Sequence, residues 1–111
     1  MKLRQWEIWK ARPAGFERDH WFVIMSGQER CDEPRQLLVN GLACFSLRGQ
    51  LLKSEVRLNS ADGFQMPTVC QCDYVYSLEK SRLHSGLGSV SWERQQAIKA
   101  KLKEVFRLEI T

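Results

Sequence analysis

The segment between Gly15 and His20 carries the residue types that acid–base and phosphate chemistry require. In chain order it supplies a glutamate, an arginine, an aspartate and a histidine: Glu17, Arg18, Asp19 and His20. Histidine exchanges a proton near neutral pH, and arginine presents a planar fork of donors that matches a phosphate group. The apolar run at residues 21–26 is typical of a buried strand, which would hold the loop in place. We therefore predict that this loop is a site of chemistry.

Acid–base chemistry at a phosphate group needs three kinds of side chain, and the loop offers candidates for them. A base takes a proton from the attacking oxygen, a donor protonates the leaving oxygen, and a cation stabilises the phosphorane oxygens. His20 could serve as base or acid, and Arg18 could supply the cation. Glu17 or Asp19 could orient His20 or act as the base. The alternatives are structural: a hydrogen-bonded histidine, and a surface ion pair between Arg18 and its acidic neighbours.

Four residues elsewhere in the chain could complete such a site. Ser46 and Arg48 could contact phosphate from the end of a neighbouring strand, and Trp21 could stack on a base. Asp73 could lie across the same face, and it attracts notice because a charge in the middle of a strand must be paired or functional. The alternatives are a serine that caps a turn, a tryptophan in the core and a paired structural carboxylate.

Alternating and apolar patterns predict five strands. They cover residues 5–11, 21–26, 37–45, 55–59 and 68–76. Residues 27–35 are polar and predict a loop, and Gly41 predicts a bulge or a close backbone approach inside the third strand. A helical turn is predicted at residues 78–83, and residues 85–90 form a glycine-broken connection that could include a short last strand.

The clearest element is a C-terminal helix that begins after Ser91. Ser91 is a favourable N-cap, and Glu93 suits the first turn. Four apolar residues at helical spacing form one stripe: Ile98, Leu102, Val105 and Phe106. We predict a single domain over residues 1–111 that is mainly β with a C-terminal α-helix, in the form of a small, curved, SH3-like barrel closed by the helix.

The composition narrows the class of protein. The net charge is +4 and the sequence pI is about 9.0, which favours an anionic partner and nucleic acid in particular. No apolar run reaches the ~18 residues of a membrane span, and the first residues lack the apolar core of a signal peptide. We therefore expect a cytoplasmic protein with no membrane association. The four cysteines lack the Cys-x-x-Cys spacing of zinc sites, so we expect free thiols, no metal and no cofactor.

Six signatures occur in order along nearly the whole chain. They are Glu7-Ile8-Trp9, Gly15-Phe16-Glu17, Phe22 to Ser26, Leu42 to Ser46, Cys72 to Ser77, and Lys80-Ser81-Arg82-Leu83 followed by Gly88 to Ser91 and the helix. Together they resemble the MazF/PemK family of bacterial toxins. The resemblance implies a small β-barrel fold and sequence-selective, metal-free cleavage of single-stranded mRNA. It also implies a homodimer, and an acidic antitoxin that folds on binding and blocks the RNA groove.

Several positions depart from the family pattern, and they are positions that the family uses for catalysis. The family's catalytic arginine precedes a proline at the start of the second strand, where this chain has His20 and Trp21. The family's catalytic hydroxyl falls on Phe45 or on Ser46, depending on a shift of one residue. Tyr76 replaces the arginine that follows the family's Cys-Asp pair.

These observations leave three hypotheses for the function. The first is a toxin-like endoribonuclease, with His20, Arg18, Ser46 and Asp73 as catalytic residues and Glu17, Trp21 and Arg48 as substrate-binding residues. The second is a catalytically degenerate relative that binds nucleic acid or a protein partner without cleavage. The third is gyrase poisoning, as in the structurally related CcdB toxins. It ranks last because those toxins rely on a Trp-Gly-Ile-type end, whereas this chain ends with residues 107–111, Arg-Leu-Glu-Ile-Thr.

Overall fold

The structure, a computed structural model, describes residues 2–108. Within them the chain forms seven β-strands: β1 (Glu7–Ala11), β2 (His20–Ile24), β3 (Leu38–Ser46), β4 (Glu55–Leu58), β5 (Thr68–Gln71), β6 (Tyr76–Glu79) and β7 (His84–Ser89). Two α-helices accompany them, α1 (Gln28–Asp32) and α2 (Trp92–Phe106), together with 3-10 turns at Ser60–Asp62 and Lys80–Arg82. The predicted class, mainly β with a C-terminal helix, is confirmed. The gyrase comparison depends on residues 109–111, which lie outside the described residues.

One antiparallel sheet contains all of these strands. Its order is β4-β5-β3-β2-β1-β7, and β6 also pairs with β3. The predicted barrel is not closed: the sheet remains open, because β4 and β7 do not pair with each other in the part of the chain that the structure describes. β3 is the centre of the sheet: β2 lies along one side of it, and β5 and β6 share the other side.

Side chains of the sheet alternate between two apolar cores. The α2-side core combines Val23 of β2 and Leu42 of β3 with Ile98 of α2, and all three are fully buried. The α1-side core receives Phe22 of β2 and Cys31 of α1. Successive residues of a strand point to opposite faces, so the uninterrupted apolar run of β2 fills both cores. The prediction of a central second strand is therefore confirmed.

Helix α2 begins where Ser91 predicts it, but a different residue satisfies its first backbone donor. The Ser91 side chain makes no capping hydrogen bond. Its backbone N–H donates to Oδ1 of Asp62 over 2.8 Å, and Oδ2 of Asp62 accepts the backbone N–H of Asn59 over 2.9 Å. Asp62 is only 1% exposed, so this carboxylate ties the end of β4 to the start of α2. We call Asn59, Asp62 and Ser91 the Asp62 clamp.

The predicted apolar stripe of α2 is only partly buried. Ile98 is fully buried and Leu102 packs against the α2-side core, whereas Phe106 remains 44% exposed near the helix end. Among residues 2–108, neither helix has the length and apolar character needed to span a bilayer.

The prediction of one strand over residues 68–76 is wrong, because two strands occupy this segment. Cys70 of β5 pairs with Cys44, and Tyr76 of β6 pairs with Gly41. Between these two pairs β3 contributes residues 42 and 43, whereas the other chain segment contributes residues 71–75. The three surplus residues leave the ladder as an extended bulge, which we call the 73–75 bulge. Asp73 is exposed in this bulge and does not occupy a mid-strand position.

Three other local predictions need adjustment. The predicted loop at residues 27–35 contains α1, which buries Cys31. The predicted helical turn at residues 78–83 begins as the end of β6 and becomes a 3-10 turn only at Lys80. The short last strand that the glycine-broken connection could include is present, as the six-residue β7, and it begins at His84, one residue earlier than expected. The close approach predicted at Gly41 is confirmed, because a Cβ there would lie 2.6 Å from Cδ1 of Leu78.

Candidate functional site

An open groove of about 970 Å³ lies where the start of β2 meets the end of β3. The antiparallel pairing of β2 with β3 brings these two strand ends together, and the segment before β5 forms the facing wall. Five of the residues predicted from the sequence line this groove: Arg18, His20, Trp21, Ser46 and Arg48. Five candidate residues from separate parts of the sequence therefore meet at one groove.

His20 opens β2 and has a defined ring orientation. Its Nδ1 lies 3.1 Å from the backbone carbonyl oxygen of Arg18. A carbonyl oxygen can only accept a hydrogen bond, so Nδ1 carries the proton and Nε2 of the neutral ring keeps a lone pair. The ring is half-buried, with its centroid 4.9 Å from that of Phe16 and 5.1 Å from that of Phe45. These contacts restrict the rotation of the imidazole and present Nε2 as a potential base.

Asp19 binds partners other than its neighbour Arg18. Arg12 Nε lies 3.2 Å from one carboxylate oxygen, and His84 Nε2 lies 2.9 Å from the other. The hydrogen bond from Arg12 is the main reason that the pKa of Asp19 falls below its ordinary value, and the charges of His84 and Arg12 act in the same direction. These partners hold the loop against β7. They also leave the alternative for Arg18, an ion pair with its acidic neighbours, unformed in the described residues.

The two groove arginines differ from the other polar groups nearby. Arg18 and Arg48 are exposed. Neither has a carboxylate within 4.0 Å among residues 2–108, where the ion pairs involve other side chains. Because no neighbouring acid neutralises them there, both guanidinium groups can bind an external anion such as a phosphate.

The hydroxyl of Ser46 is the better placed of two hydroxyl groups in the groove. Ser46 ends β3, is exposed and pairs with Thr68 of β5. The Thr68 hydroxyl donates to the carbonyl oxygen of Met66 over 2.9 Å and is therefore occupied. Phe45 places its ring beside His20, so of the two positions left open by the sequence only Ser46 brings a hydroxyl to the groove.

Trp21 combines a core role with a place in the groove wall. It packs against the α2-side core, and its ring meets that of Phe64 edge-on with centroids 6.4 Å apart. The ammonium of Lys10 lies 4.9 Å from the ring centroid of Trp21. These neighbours restrict the part of the indole that a base could stack on.

Two predicted site residues do not line the groove. Glu17 is exposed on the loop before β2, and Asp73 is exposed in the 73–75 bulge. The expectation that Asp73 lies across the same face as Ser46 is therefore wrong. The reason is the surplus of residues between β5 and β6, which separates Asp73 from the part of β5 that pairs with the end of β3.

The cysteines are buried inside the fold. All four are free thiols. Burial raises the pKa of Cys31. The pKa of Cys70 is raised by hydrogen bonding to Cys44 and by burial. The pKa of Cys72 is raised by hydrogen bonding to Cys70 and by burial. The thiols of Cys31, Cys70 and Cys72 therefore remain protonated at neutral pH and lack the thiolate that nucleophilic chemistry needs. No group of three or more His, Cys, Asp or Glu side chains among residues 2–108 is arranged to hold a metal ion.

The sequence did not point to Arg12 or His84 as partners of Asp19; we call these three residues the loop anchor. His84 comes next to Asp19 because β7 pairs with β1, where Lys10 is the partner of His84. No local pattern reveals a contact between segments so far apart in the chain. The adjacent aromatic residues Phe16 and Phe45 were visible in the sequence, but only the folded chain places both rings beside His20.

Comparison with known proteins gives matches in structure alone. No family model matches the chain, and no curated protein does. An endoribonuclease in complex with its cognate antitoxin, from a mycobacterial species, aligns with a TM-score of 0.83 and 16% identity over 98% of this chain and 99% of that one. The Mycobacterium tuberculosis toxin MazF-mt6 aligns with a TM-score of 0.78 and 19% identity over 94% and 99% of the two chains.

A third similar structure comes from Deinococcus radiodurans. It is a MazE–MazF structure, and it aligns with a TM-score of 0.74 and 17% identity over 96% of each chain. The three matches cover almost the whole of this chain and of the chains compared, so they concern the complete sheet and α2. The chain therefore has a MazF-like toxin fold.

Proposed function

We propose that this protein is a toxin-like endoribonuclease that cleaves single-stranded mRNA without a metal ion. The observation that carries the proposal is the convergence of three kinds of group in one open groove. They are the unpaired guanidinium of Arg18, the imidazole of His20 with Nε2 available, and the hydroxyl of Ser46. The fold supports the proposal, because similar structures include one described as an endoribonuclease with its cognate antitoxin.

The proposed reaction is an attack of the 2′-oxygen on the adjacent phosphorus atom. Nε2 of His20 takes the proton of the 2′-hydroxyl, the new bond to phosphorus forms, and the bond to the 5′-oxygen breaks. Arg18 stabilises the charge on the phosphorane oxygens, and Ser46 donates a hydrogen bond to the same group. Because the groove is open, water can protonate the leaving 5′-oxygen, and the resulting hydroxide takes the proton from Nε2 of His20, which restores the neutral imidazole. The products are a 2′,3′-cyclic phosphate and a 5′-hydroxyl end.

Substrate binding in this proposal uses the residues around the reacting phosphate. Arg48 binds a neighbouring phosphate, and the accessible part of Trp21 contacts a base. Glu17 and Asp73 take no part in the reaction, since both lie outside the groove.

The proposed setting follows the family resemblance of the sequence, and a similar structure described as an endoribonuclease in complex with its cognate antitoxin supports the antitoxin partner. We propose that residues 1–111 act as one domain in the cytoplasm, as a homodimer, under the control of an acidic antitoxin. The basic net charge of +4 would favour both an acidic antitoxin and RNA as partners.

A cleavage assay on a pool of unstructured RNAs tests the proposal. The pool should contain all short sequence contexts, because the recognised sequence is unknown, and the buffer should contain a chelator. Purified protein that is free of any antitoxin should produce 2′,3′-cyclic phosphate ends at a defined sequence. Failure to cleave any member of the pool between pH 5 and 9 would reject the proposal.

A specific observation favours a second candidate, a degenerate relative that binds RNA or a protein without cleavage. The groove has His20 followed by Trp21 where the family carries its catalytic Arg-Pro, and imidazole lacks the two-pronged fork of arginine. Salt-dependent RNA binding without turnover would support this candidate. RNA cleavage that is lost in His20→Ala would reject it.

A further inference from the structure

A continuous series of aromatic rings leads out of the groove along the sheet. Neighbouring ring centroids are 5.1 Å apart between Phe45 and His20, and 4.9 Å apart between His20 and Phe16. The series continues from Phe16 to Tyr76 over 5.3 Å, and from Tyr76 to Tyr74 over 4.5 Å. We call these five rings the aromatic row. Its members come from the end of β3, the start of β2, the loop before β2, and the 73–75 bulge with the start of β6.

The inner members of the aromatic row are fixed by the core behind them. Phe16, Phe45 and Tyr76 pack against the α1-side core and remain only partly buried. Phe16 and Tyr76 also meet the fully buried ring of Phe22 edge-on, at 5.7 and 5.5 Å. The row therefore has a rigid apolar back and an accessible outer side, which is the arrangement of a binding platform and not of a flexible surface cluster.

The 73–75 bulge supplies the outer end of the row. Its surplus residues carry Tyr74 out of the ladder, so this large side chain is 58% exposed while it still contacts the ring of Tyr76. Burial raises the pKa of Tyr76, and the nearby Asp73 carboxylate acts in the same direction, so the Tyr76 hydroxyl stays neutral under physiological conditions. The effect of the surplus residues is therefore to expose Tyr74 beside Tyr76.

The rings of the row do not cover one another. The angles between neighbouring ring planes range from 48° to 75°, so no two members stack face to face. Flat apolar groups such as nucleobases can therefore still approach the accessible faces.

We propose that the aromatic row binds the unpaired bases of the RNA strand on one side of the phosphate held in the groove. This inference rests on the proposed function and specifies where the substrate lies. Charge complementarity favours RNA as the occupant, because Arg18 and Arg48 bind phosphate at the groove end of the row. Glu17 follows Phe16 and Asp73 precedes Tyr74, and these exposed acids repel phosphates from the surface beside the row. The bases therefore face the rings, and the backbone lies on the outside.

Binding of a fluorescent oligonucleotide tests the proposal directly. The probe is an unstructured 2′-O-methyl RNA of mixed sequence, which resists cleavage at the modified 2′-oxygen, and the readout is fluorescence anisotropy. Tyr74→Ala should weaken binding about 5- to 30-fold, because stacking on one aromatic side chain is lost. Tyr74→Phe should bind within about twofold of the wild type, because it keeps the ring. Trp92→Ala is the matched control, since Trp92 is a 70% exposed aromatic residue outside the groove and the row.

A series of probes with one missing base sharpens the test. Removal of the base that stacks on Tyr74 should weaken binding to the wild type. The same removal should have no further effect on Tyr74→Ala, because both changes eliminate one contact. Because Tyr74 is exposed, the variant is expected to fold, and thermal unfolding of each variant checks this.

Each outcome separates this proposal from the proposed function. If Tyr74→Ala binds and cleaves RNA like the wild type, the row is not a base platform, whereas the endoribonuclease proposal stands. If binding depends on Tyr74 but no RNA is cleaved, the row is supported and the endoribonuclease proposal fails. If Tyr74→Ala weakens binding of an acidic protein partner and leaves oligonucleotide binding unchanged, the row is a protein-docking surface and the proposal is overturned. A wild type that binds no oligonucleotide also overturns it.

Discussion

The groove and the Asp62 clamp are both polar regions at the ends of strands, but the polar groups of the clamp are buried and hydrogen-bonded, whereas the arginines of the groove are exposed and, within residues 2–108, unpaired. In the clamp, both carboxylate oxygens of Asp62 accept backbone N–H groups at 2.8 and 2.9 Å, and the side chain is shielded from water. In the groove, Arg18 and Arg48 are exposed and have no acidic partner among the described residues. A satisfied buried group stabilises the fold, whereas an unsatisfied exposed group remains available for a ligand.

This contrast separates stability from activity. Substitutions in the groove should lower activity while the fold remains intact, and substitutions in the clamp should lower stability while the activity of the folded fraction remains unchanged. Four predictions follow this distinction, in order of expected effect.

His20→Gln should cause the largest change. Glutamine retains a hydrogen-bonding side chain but cannot accept a proton as a base, so the rate of RNA cleavage should fall about 10²- to 10⁴-fold. Single-turnover cleavage of the best substrate from the pool measures this loss. The melting temperature should stay close to that of the wild type. A variant with nearly full activity would show that another group is the base.

Arg18→Ala should reduce cleavage by roughly 10²-fold, because one stabilising cation is removed from the phosphorane. Arg18→Lys should recover part of the rate, since a point charge remains but the planar fork is lost. The comparison of both variants at saturating RNA measures the effect on the chemical step. Equal rates for the alanine variant and the wild type would exclude a role for Arg18 at the reacting phosphate.

Asp62→Ala should lower the free energy of unfolding by about 1–3 kcal/mol, because two backbone N–H groups lose their acceptor. Urea denaturation followed by circular dichroism measures the change. Ser91→Ala is the matched control, because the Ser91 side chain makes no capping hydrogen bond and its loss should cost little. If both variants lost the same stability, the carboxylate of Asp62 would not be the source of the clamp's strength.

The loop anchor at Asp19 should give the smallest effect, visible only in acid. The pKa of Asp19 is lower in the folded state than its ordinary value of 3.8, so its ionised form stabilises the fold. That contribution is fully present above the ordinary pKa and disappears as the pH falls through the lower, folded-state pKa. The stability advantage of the wild type over Asp19→Asn should therefore shrink below about pH 4. Urea denaturation of both proteins from pH 6 to 2.5 checks this, and an advantage that does not change with pH would contradict it.

Local sequence patterns predicted the elements whose structure depends on contiguous residues. The apolar run of β2 and the helical stripe around Ile98 predict a strand and a helix without information from the rest of the chain. The resemblance to a toxin family and the positions of Arg18, His20 and Ser46 also led to residues that share one groove.

The failures concern contacts that no local pattern encodes. Residues 68–76 show one continuous strand pattern without a glycine or proline, so nothing in this segment indicates that the pairing partner of β3 changes from β5 to β6. Asp73 was misplaced for that reason. The contact of His84 with Asp19 depends on the pairing of β1 with β7, and the capping of α2 by Asp62 joins segments that are distant in sequence.

The pairing of β3 on both sides has a consequence for hydrogen exchange. Its backbone bonds to β2 on one side and to β5 and β6 on the other, and residues 41–44 are all buried. Amides that open only with the whole molecule exchange slowest, so the middle of β3 should retain its protons longest. The loop that carries Arg18 has few such bonds and should exchange early. The groove thus joins the most persistent strand of the protein to one of its most easily opened segments, and Ser46 lies at the boundary.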